Sequence, residues 1–139
     1  SRYNIGEYTD CILKPNEVEC WRAVYNNEGY IDAGYDEFIE AAKLLAKKNR
    51  SIVFCTLGKR GSIVTDGDRT EKADAVLFDG EVDICGAGDT SLSAFSAAIA
   101  AKTELKTAAQ FAGLASGVTV RKIGVTGTAS PEEIEALAQ

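Results

Sequence analysis

The chain has 139 residues, 15 Lys and Arg against 21 Asp and Glu, a formal charge of −6, no His, no Met, 4 Cys and 2 Pro. The lack of histidine removes His-activated nucleophiles, His general bases and His metal ligands, so chemistry falls to carboxylates, thiols, amines or backbone. The acid excess argues against duplex nucleic acid or an anionic membrane surface as partner, since both are held by clustered Lys and Arg, and no apolar stretch reaches the ~18 residues of a spanning helix.

A chain of this length is expected to form one domain with its own core. Cys11, Cys20, Cys55 and Cys85 show no paired C-x-x-C spacing, and three of them sit in apolar or strand-like sequence. They read as reduced, mostly buried thiols, which points to the cytoplasm. No signal peptide precedes Ser1, and the abrupt start at Ser1-Arg2 reads like a piece cut from something longer.

Cys11-Ile12-Leu13 is a short apolar run stopped at Lys14-Pro15-Asn16, and a strand is expected to end there because the residue before proline is pushed towards extended geometry. Glu17 to Tyr25 predicts a short helix with an acidic start. Asp36 is the expected N-cap of a helix over residues 37–48, with Phe38, Ala41, Ala42 and Leu45 on its buried stripe and Lys47, Lys48 and Arg50 at its negative end. Residues 51–56 form a β-branched apolar run expected to be a central parallel strand. Ser62 to Thr65, the turn Asp66-Gly67-Asp68 and Arg69 to Asp74 predict an antiparallel hairpin at the edge.

Ala75-Val76-Leu77-Phe78 is followed by a turn and then Glu81 to Cys85, an extended segment running into Gly86-Ala87-Gly88-Asp89. The helix expected over Thr90 to Lys102 places Leu92, Phe95, Ala98 and Ile99 on one face. Leu105 to Val120 predicts a second, mostly buried helix. Ser130 as N-cap, Pro131 at the first helical position and Glu133 at the third predict a last helix over Pro131 to Leu137. Alternating strands and helices make this an α/β layered domain with a largely parallel sheet and a small antiparallel edge.

Gly86-Ala87-Gly88-Asp89-Thr90 opens a helix where backbone N–H groups are unpaired and the dipole is positive, which makes an anion site. Neither common phosphate loop is present: Ser91 stands where the dinucleotide fingerprint needs glycine, and Gly58-Lys59 is followed by Arg60 rather than Ser or Thr. A carboxylate beside a bound phosphate is repelled, so Asp89 needs a task. The natural one is general base towards an alcohol while the adjacent N–H groups stabilise the phosphoryl group. The competing reading is a plain helix start with glycines as turn residues.

Asp83-Ile84-Cys85-Gly86-Ala87-Gly88-Asp89 resembles the second signature of the PfkB/ribokinase family of sugar kinases. Asn16-Glu17-Val18-Glu19 is similar to that family's Asn-x-x-Glu element, and Thr56-Leu57-Gly58-Lys59-Arg60-Gly61 to its Thr-x-Gly-x-x-Gly loop. The run from Lys122 to Glu133 resembles the end of the heptose-phosphate kinase branch. The resemblance implies a ribokinase-like three-layer α/β/α fold, of which these residues form the C-terminal, nucleotide-binding half. It also implies transfer of phosphate from ATP, with Mg²⁺, to a hydroxyl of a sugar or sugar phosphate.

Carried over residue by residue, the resemblance makes Asp89 the base and the N–H groups of Gly86, Ala87 and Gly88 the anion hole. Asn16 and Glu19 would organise Mg²⁺ and phosphate through water, and Thr56, Gly58 and Gly61 would border the nucleotide. Gly113 stands where family members often carry Asn, and Cys85 where they often carry Thr. A nucleotide-binding module without catalysis, and a nucleoside or vitamin kinase of the same family, stay open as alternatives, as does a homodimer of the full-length protein.

Overall fold

The computed structural model describes residues 4–139 and divides them between two compact units, one running to Lys72 and the other from Ala73 to Gln139. The opening Ser1-Arg2 lies outside the described residues.

In the first unit, helix α1 (Glu17–Tyr25) and helix α2 (Tyr35–Asn49) pack together against strand β1 (Val53–Thr56), which is followed by β2 (Ser62–Thr65) and β3 (Thr70–Ala73) in the sheet order β1-β2-β3. The α1 boundaries are those the sequence predicts. Helix α2 starts earlier than its sequence suggests: Gly34, not Asp36, is the N-cap, because the Glu37 carboxylate at the third position accepts the Gly34 N–H. Phe38, Ala41, Ala42 and Leu45 are all fully buried, as their spacing requires. Around them Trp21, Tyr30 and Tyr35 cover the core, Trp21 lying edge-on to Phe38 with ring centroids 5.5 Å apart. The basic end of α2 is engaged locally: Lys43 pairs with Glu40, Lys47 with Asp68 and Arg50 with Asp10.

Strand β1 stands at one end of the three-stranded order, and its neighbours differ from the central parallel strand expected. It pairs antiparallel with β2, from Val53 opposite Thr65 to Thr56 opposite Ser62. The five residues 57–61 between them are too few for a parallel crossover, which takes a dozen or more. On its other side it meets Leu13 and Asn16 in parallel bridges, with Leu13 N–H donating to the Ile52 carbonyl (2.9 Å), Phe54 N–H to Leu13 (2.8 Å) and Thr56 N–H to Pro15 (3.0 Å). Pro15, which has no N–H, divides this edge into isolated bridges. The parallel character among the described residues is confined to these bridges.

In the second unit, residues 74–84 carry no regular element, and helix α3 (Ala87–Ala100) packs along helix α4 (Leu105–Val120), with α5 (Pro131–Leu137) against α4. Ala108, Ala109, Ala112 and Ala115 are buried on α4, so small side chains let the helices approach closely. The buried stripe of α3 is Ser91, Phe95 and Ala98, and Leu92 is 37% exposed, a correction to the face expected. The rest of that face is as expected, Phe95 and Ala98 buried and Ile99 half-buried; Leu92 alone of the four turns outward, and Ser91 one position earlier is buried in its place. Of the four thiols only Cys20 and Cys55, on α1 and β1, are buried; Cys11 and Cys85 are exposed, a correction to the mostly buried set expected.

Two side chains hold chain ends to their helices. Asn49, fully buried at the end of α2, donates through Nδ2 to the carbonyls of Gly6 (3.1 Å) and Tyr8, while its Oδ1 meets no donor among the described residues. Ser130 and Glu133 form a reciprocal cap on α5, with Ser130 N–H to Glu133 Oε2 at 2.9 Å and Glu133 N–H to Ser130 Oγ at 3.3 Å. Asn49→Ala removes the donor serving two carbonyls and is expected to cost ~1–3 kcal/mol. Ser130→Ala removes one cap bond and is expected to cost about 1 kcal/mol. Urea denaturation of each variant checks both figures, and the larger loss belongs to Asn49.

Candidate functional site

The residues singled out in sequence fall into two groups, one in each unit. In the first unit, Asn16 is the N-cap of α1. Its Oδ1 accepts the Glu19 N–H at 2.9 Å, and Glu19 Oε2 accepts the Asn16 N–H at 3.0 Å. The same cap sits beside the glycine loop, since Asn16 is the bridge partner of Thr56. Arg60 of the loop reaches Glu17 at 2.7 Å and lies 4.9 Å from the centre of the Phe38 ring. The structure thus brings Asn16, Glu19, Thr56, Gly58 and Gly61 together.

The loop closes on itself, Leu57 N–H donating to Gly61 (2.8 Å) and Gly61 N–H to Gly58 (3.1 Å). Gly61, at φ 84° and ψ −137°, occupies a conformation that only glycine adopts without strain. A Cβ on Gly58 would meet nothing within 4 Å, so that position borders open space.

In the second unit, Gly86 is the N-cap of α3 in a left-handed turn, φ 79° and ψ −10°, with Ala87, Gly88 and Asp89 forming the first helical turn. The helix therefore begins three residues before Thr90, and Asp89 is its third residue, exposed to solvent. The four residues from Gly86 to Asp89 do not contribute equally. The Ala87 N–H is taken by the Ile84 carbonyl at 3.2 Å, whereas those of Gly86, Gly88 and Asp89 meet no acceptor among the described residues. An approaching anion would meet these three donors at the positive end of the helix.

Three contacts fix this turn. Thr126 comes close enough that a Cβ on Gly86 would lie 3.0 Å from its Cγ2, and the Cys85 Sγ is 3.8 Å from Thr126 Oγ1. Thr119, fully buried on α4, donates through Oγ1 to Thr90 Oγ1 at 3.1 Å. Asp83 supplies the third: its Oδ1 accepts the Cys85 N–H (2.9 Å), its Oδ2 the Gly124 N–H (3.0 Å), and its own N–H donates to Val120 (2.8 Å). These backbone donors, Cys85 first and then Gly124, hold the Asp83 carboxyl below the usual carboxylate range.

Sequence reasoning quoted Asp83 within a motif but gave it no task, although an aspartate two residues before an exposed N–H is an Asx-turn spacing. Gly113, on the α4 face towards Asp74, has room for a side chain: a Cβ there would come no nearer than 3.9 Å to the Asp74 carbonyl oxygen.

No group of three or more Cys, Asp or Glu among the described residues is placed to hold a metal ion, and no helix among them is long and apolar enough to cross a membrane.

These elements have counterparts in known proteins. The family model described as pfkB family carbohydrate kinase matches residues 8–133. The bifunctional protein HldE of a Nitratiruptor species is 35% identical over 127 residues, covering 89% of this chain and 26% of that protein. The bifunctional protein HldE of Shewanella baltica is 31% identical over 136 residues, covering 97% and 28%. The chain therefore spans about a quarter of the length of these relatives.

Among solved structures, Arabidopsis thaliana ribokinase complexed with ribose and ATP superposes with a TM-score of 0.78 at 24% identity, over 92% of this chain and 40% of that one. Escherichia coli phosphofructokinase-2 in complex with substrates and products does so with a TM-score of 0.79 at 19% identity, over 96% and 41%. These likenesses show that the fold is ribokinase-like and that the chain covers part of it. With a family match running from Tyr8 to Glu133 across the Asn-x-x-Glu, Thr-x-Gly-x-x-Gly and Gly-Ala-Gly-Asp elements, the chain belongs to the pfkB family of carbohydrate kinases.

Proposed function

We propose that residues 1–139 act as the nucleotide-binding and catalytic-base portion of a kinase that transfers a phosphoryl group from ATP to a hydroxyl of a sugar or sugar phosphate. A heptose phosphate is the favoured acceptor, because the HldE relatives match over nearly the whole chain. The observation that carries the reading is the exposed Asp89 carboxylate in the same helical turn as three N–H groups with no acceptor among the described residues.

Asp89 takes the proton of the acceptor hydroxyl as its oxygen attacks the γ-phosphorus; the bond to the β,γ-bridging oxygen breaks and ADP leaves. The N–H groups of Gly86 and Gly88, joined by that of Asp89, stabilise the charge gathered on the transferring group. Ala87, whose N–H is engaged by Ile84, contributes a small side chain that keeps the approach open. Thr56, Gly58 and Gly61 border the nucleotide, Gly58 leaving space where a side chain would stand. Gly113, where the family resemblance would imply Asn, offers the nucleotide room instead of a hydrogen bond.

Asn16 Oδ1 and Glu19 Oε2 are engaged in the α1 cap, so this pair has one carboxylate oxygen to spare, Glu19 Oε1. That donor set fits a hydrated Mg²⁺ held through its waters rather than a direct chelate. When bound, magnesium would neutralise phosphate charge. Glu19 would orient its water shell and Asn16 would fix the position of Glu19. The reading places the protein in the cytoplasm, where ATP is available and thiols stay reduced.

Asp89→Asn keeps the shape of the turn and removes the base. In the full-length protein it is expected to lower kcat by about two orders of magnitude or more while leaving the ATP dissociation constant nearly unchanged. Steady-state assays over a panel of phosphorylated sugars, with nucleotide titration alongside, test this. Wild-type turnover in the variant would remove the base assignment. ATP binding by a wild type that phosphorylates no acceptor would favour a non-catalytic nucleotide module.

A further inference from the structure

The segment between α4 and α5 carries an ion pair that the proposed chemistry does not use. Lys122 Nζ lies 2.8 Å from Glu133 Oε1 and 2.9 Å from Oε2, and it also donates to the Thr128 carbonyl. Glu133 is fixed independently, its Oε2 accepting the Ser130 N–H at 2.9 Å. The lysine stem lies directly over Gly127: a Cβ there would be 3.1 Å from Lys122 Cδ and 3.1 Å from the Thr119 carbonyl oxygen. Gly127 thus leaves no room for a side chain between the stem and the end of α4, and the methyl group of its neighbour Thr126 fills the space that a Cβ on Gly86 would need. A continuous set of contacts runs from the ion pair to the turn that presents the free N–H groups.

We propose that Lys122 and Glu133 form a positioning clamp that holds Thr126 and Gly127 against Gly86, keeping the N–H donors of the turn and Asp89 in one geometry. This rests on the kinase reading for its consequence in turnover, but not for its structural content. Lys122 touches no reacting atom in this scheme; it acts through Thr126. The two halves of the pair should therefore behave as a unit, each being useless without the other. The pair is partly exposed, 31% for Lys122 and 41% for Glu133, so its loss should loosen the turn rather than unfold the unit.

The test uses Lys122→Met, which keeps the stem but not the charge, Glu133→Gln, the double variant and Lys122→Arg, all in the full-length protein. Amide hydrogen exchange at Cys85, Ala87 and Thr90, the hydrogen-bonded amides of the turn, is expected to rise about fivefold in Lys122→Met and in Glu133→Gln, with the centre of α4 unchanged. The kcat should fall by about fivefold while the KM for ATP stays within about twofold. The double variant should be no worse than either single one, and Lys122→Arg should restore most of the loss.

Unchanged exchange at Cys85, Ala87 and Thr90 in both single variants, or effects that multiply in the double variant, would overturn the clamp. Should Lys122→Met fail to fold, Glu133→Gln carries the same readouts, since it removes the charge of the pair while its amide oxygen can still accept the Ser130 N–H that caps α5. A wild type without phosphotransfer would overturn the kinase reading instead, and the exchange measurement would still decide the clamp.

Discussion

The constraint on which the candidate site depends is the left-handed turn at Gly86. A helix that starts there must leave its first N–H groups without intrahelical partners, and the turn decides which way they face. Only a residue without Cβ can take φ 79° with Thr126 this close. Asp83, Thr119 and Thr126 each act on the turn: Asp83 through two backbone N–H groups, Thr119 through Thr90, and Thr126 through its approach to Cys85 and by filling the space beside Gly86. A carboxylate at the third position of a helix is ordinary when alone; a pinned turn with three unsatisfied donors is what gives Asp89 its chemical setting.

In the first unit, one set of side chains serves both structure and ligand. Asn16 and Glu19 are a helix cap before they are anything else, and the cap consumes one oxygen of each. What remains, a single Glu19 oxygen, limits any metal contact to one made through water. The cap also sets the position of the glycine loop, because Asn16 and Thr56 are bridge partners and Arg60 returns to Glu17. Motifs 40 residues apart in sequence are thus neighbours through the chain's contacts with β1.

Elements governed by short-range rules were legible in the sequence. The boundaries of α1, α4 and α5 follow from acidic starts, a buried apolar period and the Ser130-Pro131-Glu133 start signal, all of which act within one or two turns. The errors arose where two local answers were nearly equal. Asp36 is a good cap residue, but Glu37 could reach the Gly34 N–H, and the helix grew backwards to meet it. On α3 Phe95 and Ala98 are buried as expected, but the polar Ser91 is buried with them and Leu92 left at the surface. The β1 run looked like an interior parallel strand because both its faces are covered, a property that does not report the direction of its neighbours.

By itself the sequence determined the family, through three short motifs in fixed order, and most of the helices, because caps and periodicity are local. It also determined which residue types could do chemistry. Tertiary structure alone decided that the Ala87 N–H is engaged while those of Gly86, Gly88 and Asp89 are not, that Asp83 anchors the turn, and that Lys122 meets Glu133. The Ala87 and Cys85 bonds close turns of two or three residues; the bonds of Asp83 to Gly124 and Val120 and the Lys122–Glu133 pair have a longer-range reason. A hydrogen bond or ion pair between residues joined by a flexible segment depends on where that segment leads, and its path is set by the packing of α3, α4 and α5 rather than by the preferences of the residues it links.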